Sequence, residues 1–256
     1  MNTQHQPQPY EPNSIIAILG AFGTEVQLLK HSLQNAQEVI IQGVCFYTGT
    51  LQNRAVVVGQ TGIGKVNAAI TTTLLVHTFK PKYLIFTGIA GGINANLHPG
   101  DIIIGEQVGH HDYQAITFEG VPTRQTYNFL TNELNPDFFR ADAELAQKAL
   151  EASSRVVFDS VGNHQPVCAL GTIVSGDLFV SSAEKVKQLR DVFGADATEM
   201  EGAAVAQVCH QWGVPHLVIR SISDRADAEA TEVMFEHLKI AAHNSAKLTL
   251  KIIENL

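Results

Sequence analysis

The 256-residue sequence has only three cysteines, Cys45, Cys168 and Cys209, odd in number and far apart. Neither a disulfide framework nor a CxxC metal pair is available, which suits a reducing cytoplasm. There is no surplus of basic charge either. The 17 Lys and Arg stand against 25 Asp and Glu spread along the chain, for a formal net charge of −8. The clustered basic patch that phosphate backbones or anionic lipids select is missing, so neither nucleic acid nor a membrane is expected as a partner. Residues 1–13 are rich in Gln, Pro and Asn and lack an apolar core. They read as a disordered lead-in, not as a signal peptide or an anchor.

What is present is apolar content, 45% of residues, enough for one large core, so a single domain is expected over 14–256. From Ser14 on, short β-branched runs ending in glycine alternate with stretches of helical spacing, which makes the fold class α/β. Strands are expected at 15–20, 39–47, 54–58, 83–86, 101–108, 169–175 and 216–222. Helices are expected at 25–33, 65–79 (ended by Pro81), 142–153, 182–192, 199–212 and 229–254. The polar stretches 114–141 and 159–166 read as surface loops.

Several motifs carry competing readings. Gly59-Gln60-Thr61-Gly62-Ile63-Gly64-Lys65 fits the GxxxxGK half of a phosphate-binding loop, but Val66 follows where a magnesium-binding hydroxyl is required. A tight strand-to-helix turn is the better reading. Thr87-Gly88-Ile89-Ala90-Gly91-Gly92 leaves little side-chain bulk at the end of a buried strand, where open α/β sheets bind ligands, or is simply a turn that needs positive φ. His110-His111-Asp112 and Cys209-His210 lack ligand or nucleophile spacing, so no metal and no cofactor is expected. Three acids near element ends are more informative: Glu25, Glu201 and Asp224. Converging carboxylates can divide acid and base work, because a buried carboxyl holds its proton while an exposed neighbour stays ionised. Taken singly, each could equally be a helix cap or a solvated charge.

Gly20-Ala21-Phe22-Gly23-Thr24-Glu25, Thr61-Gly62-Ile63-Gly64-Lys65, the Thr87–Gly92 segment, Val174-Ser175-Gly176-Asp177, Met200-Glu201-Gly202-Ala203-Ala204 and Ser223-Asp224 together resemble the methylthioadenosine/adenosylhomocysteine nucleosidases. These belong to the purine nucleoside phosphorylase superfamily, and the match runs over most of the chain from Ile15. The resemblance implies a three-layer α/β/α domain with a mixed, partly barrel-like central sheet. It also implies hydrolysis of the N-glycosidic bond of an adenine nucleoside.

Carried over residue by residue, the base stacks on Phe179 and is read by the backbone of Val180, while Asp224, beside Ser223, protonates or bonds purine N7. The ribose hydroxyls meet Glu201 and the backbone near Met200. Arg220 orients the site, and Glu25 activates water as general base. Ile89 stands where the bacterial nucleosidases carry a serine. The resemblance further implies a homodimer, with Phe118 covering the neighbour's 5′ group.

The phosphorylase branch of the superfamily is expected to place arginines in the first glycine turn, in the following hairpin and before the TG turn. This chain has Glu25, no arginine between Gly20 and Asn53, and Phe86 at those places. A carboxylate repels a phosphate dianion and serves well as a base for neutral water, which ranks hydrolysis first. A phosphate-dependent phosphorylase and a catalytically weak nucleoside-binding protein on the same fold are the alternatives.

Overall fold

The structure, a computed structural model, describes residues 14–114, 125–226 and 230–256, with the backbone alone over 230–236. The lead-in 1–13 and Phe118 lie outside the described residues. Among the described residues, twelve strands and six helices follow in order: β1 (Ile16–Gly20), α1 (Gly23–His31), β2 (Gln34–Ile41), β3 (Val44–Leu51), β4 (Arg54–Gln60), α2 (Lys65–Phe79), β5 (Tyr83–Gly92), β6 (Ile102–His110), β7 (Tyr127–Asn128), β8 (Glu133–Leu134), β9 (Phe139–Arg140), α3 (Ala143–Ser153), β10 (Cys168–Ser175), α4 (Ala183–Phe193), β11 (Ala197–Glu199), α5 (Gly202–Trp212), β12 (His216–Asp224) and α6 (Ala230–Glu254). Among the described residues, no helix is long and apolar enough to cross a membrane.

The main sheet runs β11-β10-β6-β12-β5-β1-β4-β3-β2, and β11 also pairs with β5. Strands β5, β12, β6, β10 and β11 therefore close into a five-stranded barrel, from which β1, β4, β3 and β2 extend as an open sheet. Strand β1 pairs in parallel with both β4 and β5, and all five of its residues are buried. Its alternation explains the layers. Ala17 and Leu19 pack with Leu75 and Phe79 of α2 and with Ala206 and Cys209 of α5. Ile16 and Ile18 pack on the opposite side with Leu29 of α1, Ala149 of α3 and Ile252 of α6. Two apolar cores on the two faces of one mixed sheet make the three-layer α/β/α fold.

Four expectations about elements are corrected. The segment 39–47 is not one strand: the chain reverses at Gln42-Gly43, both at positive φ (50° and 84°), as tight hairpins require. The Thr87–Gly92 segment is not a turn. It continues β5, and Gly91 and Gly92 pair with Thr198 and Ala197 of β11 to close the barrel. Because Ala197–Glu199 is used in that closure, α5 begins at Gly202, not at Glu199. Short strands β7, β8 and β9 also appear within 125–141, which was expected to be loop. By contrast, α2 spans 65–79 as anticipated and ends on Lys80 at φ 46°, just before Pro81.

Candidate active site

A cleft of about 360 Å³ opens at the carboxyl ends of β1, β5 and β12 and beside β11, where α/β sheets present loops and helix N-termini to ligands. Its wall includes four carboxylates, Glu25, Glu199, Glu201 and Asp224, and among the described lining residues no Lys or Arg.

Glu25 lies in the first turn of α1 and is 2% exposed. Its Oε2 accepts the backbone N–H groups of Ala21 (2.5 Å) and Phe22 (3.2 Å), and its Oε1 accepts that of Ile89 (2.9 Å). The cap reading of this residue therefore holds, and the carboxylate also lines the cleft. Three of the roughly four lone-pair positions of the carboxylate are taken, which leaves one for a water. Burial raises its pKa, against the lowering influence of Arg220 and the backbone donors.

The approach of Glu25 to β5 depends on Gly88. A methyl carbon there would lie 2.7 Å from Glu25 Cδ, 2.8 Å from Arg220 Nη1 and nearer still to Glu25 Oε1. The glycine is needed for close approach, not for an unusual backbone angle, since it is not among the positive-φ residues.

Arg220 is buried behind the cleft wall and does not line it. Its Nε and Nη2 both donate to Glu199 Oε2, and its guanidinium carbon sits 4.1 Å from the centroid of the Phe86 ring. Glu199 also accepts from the hydroxyl of Ser175 and from the N–H groups of Glu201 and Gly202. The arginine charge is therefore spent on an internal carboxylate, as a buried cation requires. Sequence reasoning missed Glu199 and Ser175. The available signal was the Glu199-Met200-Glu201 spacing, which puts a second acid beside the recognised one.

Glu201 stands at the N-cap position of α5 without a side-chain cap bond, and its carboxylate accepts the N–H of Gly64 at 2.7 Å. Burial first, and then the neighbouring charge of Glu199, push its pKa up to about 8. In the same loop, Lys65 N–H donates to Asp177 (2.8 Å) and Lys65 Nζ to Asp112 (2.5 Å). The amides that would cradle a phosphate in a GxxxxGK loop thus point at the protein's own carboxylates, and the lysine is paired. The turn reading of that motif holds.

Asp224 ends β12 and is aimed by a bulge. Ile222 stands opposite Ala90 and Asp224 opposite Gly91, which leaves Ser223 as the extra residue. Without the bulge, Asp224 would share the core-facing side of Ile222; with it, the carboxylate turns to the cleft. Ser223 Oγ donates to Oδ2 at 2.7 Å, and the Ala226 N–H donates to Oδ1 at 2.8 Å.

The family model of the phosphorylase superfamily matches residues 15–254. A 5′-methylthioadenosine/S-adenosylhomocysteine nucleosidase of Halalkalibacterium halodurans is 43% identical over 242 residues, covering 94% of this chain and 98% of its own. The chain belongs to this nucleosidase family. Among solved structures, the Neisseria meningitidis nucleosidase in complex with methylthio-immucillin-A superposes with a TM-score of 0.82 at 36% identity, covering 95% of this chain and 100% of its own. A futalosine hydrolase of Helicobacter pylori gives the same TM-score at 32% identity, covering 95% and 98%.

In this nucleosidase-family cleft, Ile89, Phe179, Val180, Met200, Glu201 and Ser223 all line the wall together with Glu25 and Asp224. Phe179 is half exposed, with its ring available to a ligand. Of the residues singled out in the sequence, only Arg220 stands behind the wall, and Phe118 lies outside the described residues. His111 is fully buried and packs against Gly176, where a Cβ would overlap its ring, and burial lowers its pKa to about 4. It serves as packing, as does the buried Cys209.

Proposed function

We propose that this chain hydrolyses the N-glycosidic bond of 5′-methylthioadenosine, S-adenosylhomocysteine or a related adenine nucleoside, releasing adenine and the free ribosyl moiety. The observation that carries the choice of water over phosphate is the make-up of the cleft wall: carboxyl groups and, among the described lining residues, no Lys or Arg, the nearby Arg220 being paired with Glu199. A phosphate dianion entering that wall finds no cationic partner, and a neutral water needs none.

Breaking the C1′–N9 bond leaves positive charge on the sugar and sends the bonding pair to the base. Asp224 delivers a proton to purine N7, which neutralises the departing adenine. A water held at the free lone pair of Glu25 attacks C1′ and passes its proton to that carboxylate. Glu25 ends protonated and Asp224 ionised, and exchange with solvent resets both. Each transfer supplies roughly 10²–10⁴-fold in rate. Glu201 and the Met200 backbone hold the ribose hydroxyls, Phe179 stacks on the adenine, and the Val180 backbone reads its edge. Ser223 orients Asp224. The amide of Ile89 holds Glu25, and its apolar side chain closes the cleft wall where a serine hydroxyl is expected in bacterial relatives.

Further support points to a homodimer. Exposed Ile63, which lines the cleft, and exposed Val66 and Tyr113 flank Lys65 and Asp112 in the chain, apolar side chains that a second copy would cover, with Phe118 contributed across the interface. The three unpaired cysteines suit a cytoplasmic setting.

The test is adenine release from methylthioadenosine and adenosylhomocysteine in phosphate-free and phosphate buffers. Equal release in both is expected. A requirement for phosphate would make this chain a phosphorylase.

A further inference from the structure

Outside the cleft, His98, Asp101 and His164 bring two imidazoles onto one buried carboxylate. Sequence spacing hides this grouping because His164 lies 63 positions beyond Asp101. His98 and Asp101 belong to the turn that leads into β6, where Gly100 adopts φ 95° and packs against Val161 and Pro166. His164 belongs to the segment between α3 and β10 and is held there by its N–H to the Val161 carbonyl, 3.1 Å. None of the three lines the cleft.

The Asp101 carboxylate is fully buried, and each oxygen is fixed by a backbone amide: Oδ2 by His98 N at 2.8 Å and Oδ1 by Val167 N at 2.9 Å. Among the described residues, the groups of potential positive charge within 4 Å of it are the two imidazoles and no Lys or Arg. His164 Nε2 lies 2.6 Å from Oδ1, and His98 Nδ1 lies 3.9 Å from Oδ2. One ligand atom from each residue falls within 4.8 Å of the others.

We propose that His98, Asp101 and His164 bind one divalent transition-metal ion of the zinc class, which ties the segment around His164 to the turn before β6. The donor set of two imidazole nitrogens and one carboxylate oxygen suits zinc and its neighbours, whereas calcium and magnesium take oxygen donors. With one carboxylate oxygen as donor, the three ligand atoms lie within 4.8 Å of one another, and rotation of the two partly exposed rings is needed to reach the ~3.3 Å between neighbouring donors in a tetrahedral site with metal–ligand bonds near 2.0 Å. The amides of His98 and Val167 act as the outer partners that fix a metal-binding carboxylate. Both rings are partly exposed, 44% and 31% in their side chains, which gives an entry path and room for a water as fourth ligand.

The test uses the full chain with any affinity tag removed. Equilibrium dialysis against micromolar zinc, followed by elemental analysis, is run on the wild type and on His98→Gln and His164→Gln. Circular dichroism confirms that each variant is folded. One zinc per chain is expected in the wild type, unaffected by millimolar magnesium. Affinity is expected to fall at least about tenfold in each variant, since even an outer-shell partner costs that much. Cobalt substitution gives an independent reading, with visible absorption bands of a four-coordinate nitrogen and oxygen site that both variants lose. Zinc uptake unchanged in the two variants, or no uptake by the wild type, overturns the proposal.

Discussion

Replacing Gly88 with alanine separates the geometry of catalysis from the stability of the fold. The added methyl would lie 2.7 Å from Glu25 Cδ and 2.8 Å from Arg220 Nη1, inside any tolerable contact. Neither neighbour can yield freely: Glu25 is held by three backbone amides and Arg220 by Glu199. Overpacking of this kind costs about 1–3 kcal/mol, which for a chain of this size lowers Tm by roughly 2–10 °C. The catalytic cost is larger in proportion, because a ~1 Å displacement of a reacting group removes about 10²-fold in rate. The assay is the initial rate of adenine release at saturating methylthioadenosine, alongside a thermal melt. Gly43→Ala is the control: φ is 84° there but nothing lies within 4 Å of the added carbon, so it should lose stability and keep its rate. A Gly88→Ala protein that keeps kcat within about twofold, against the 10²-fold predicted, refutes the packing argument.

Asp224→Asn keeps the shape of the side chain but removes the transferable proton, so kcat should fall by about 10²–10⁴-fold while analogue binding persists; steady-state rates and a binding titration check this. Glu201 is raised to about 8 in the folded protein from an ordinary 4.5, so the folded state binds more protons than the unfolded state between those values. Stability should therefore fall as pH rises across that window, and melts of Glu201→Gln should show the decline flattened. The pKa of Glu25 is raised as well, and its base form is lost as pH falls through it. The acid limb of kcat/KM should thus lie above the ordinary carboxylate range, and a limb at or below that range would show that burial does not govern this group.

The sequence carried the α/β alternation and most of the cleft wall, because hydrophobic period and glycine punctuation are local signals. It was less informative wherever two distant segments compete for the same backbone. The Thr87–Gly92 segment has turn composition, yet it is strand because β11 pairs with it, and no local pattern announces a closed barrel. Gln42-Gly43 is a weaker hairpin signal than Asn-Gly, so two strands read as one. Glu25, Glu201 and Asp224 stood out at element ends. Glu199 did not, because its importance comes from Arg220, 21 residues later in the chain. The bulge at Ser223, which aims Asp224 at the cleft, follows from register with β5 and is invisible until the strands are paired.

The central claim, that Glu25 activates water, is tested most directly by Glu25→Gln assayed on methylthioadenosine in phosphate-free buffer, with a melt and an adenine-analogue titration on the same protein. A folded variant that still binds the analogue and has lost about 10²–10⁴-fold in kcat is the predicted result. A variant that hydrolyses the nucleoside at the wild-type rate would contradict the account and leave the carboxylate as a helix cap alone.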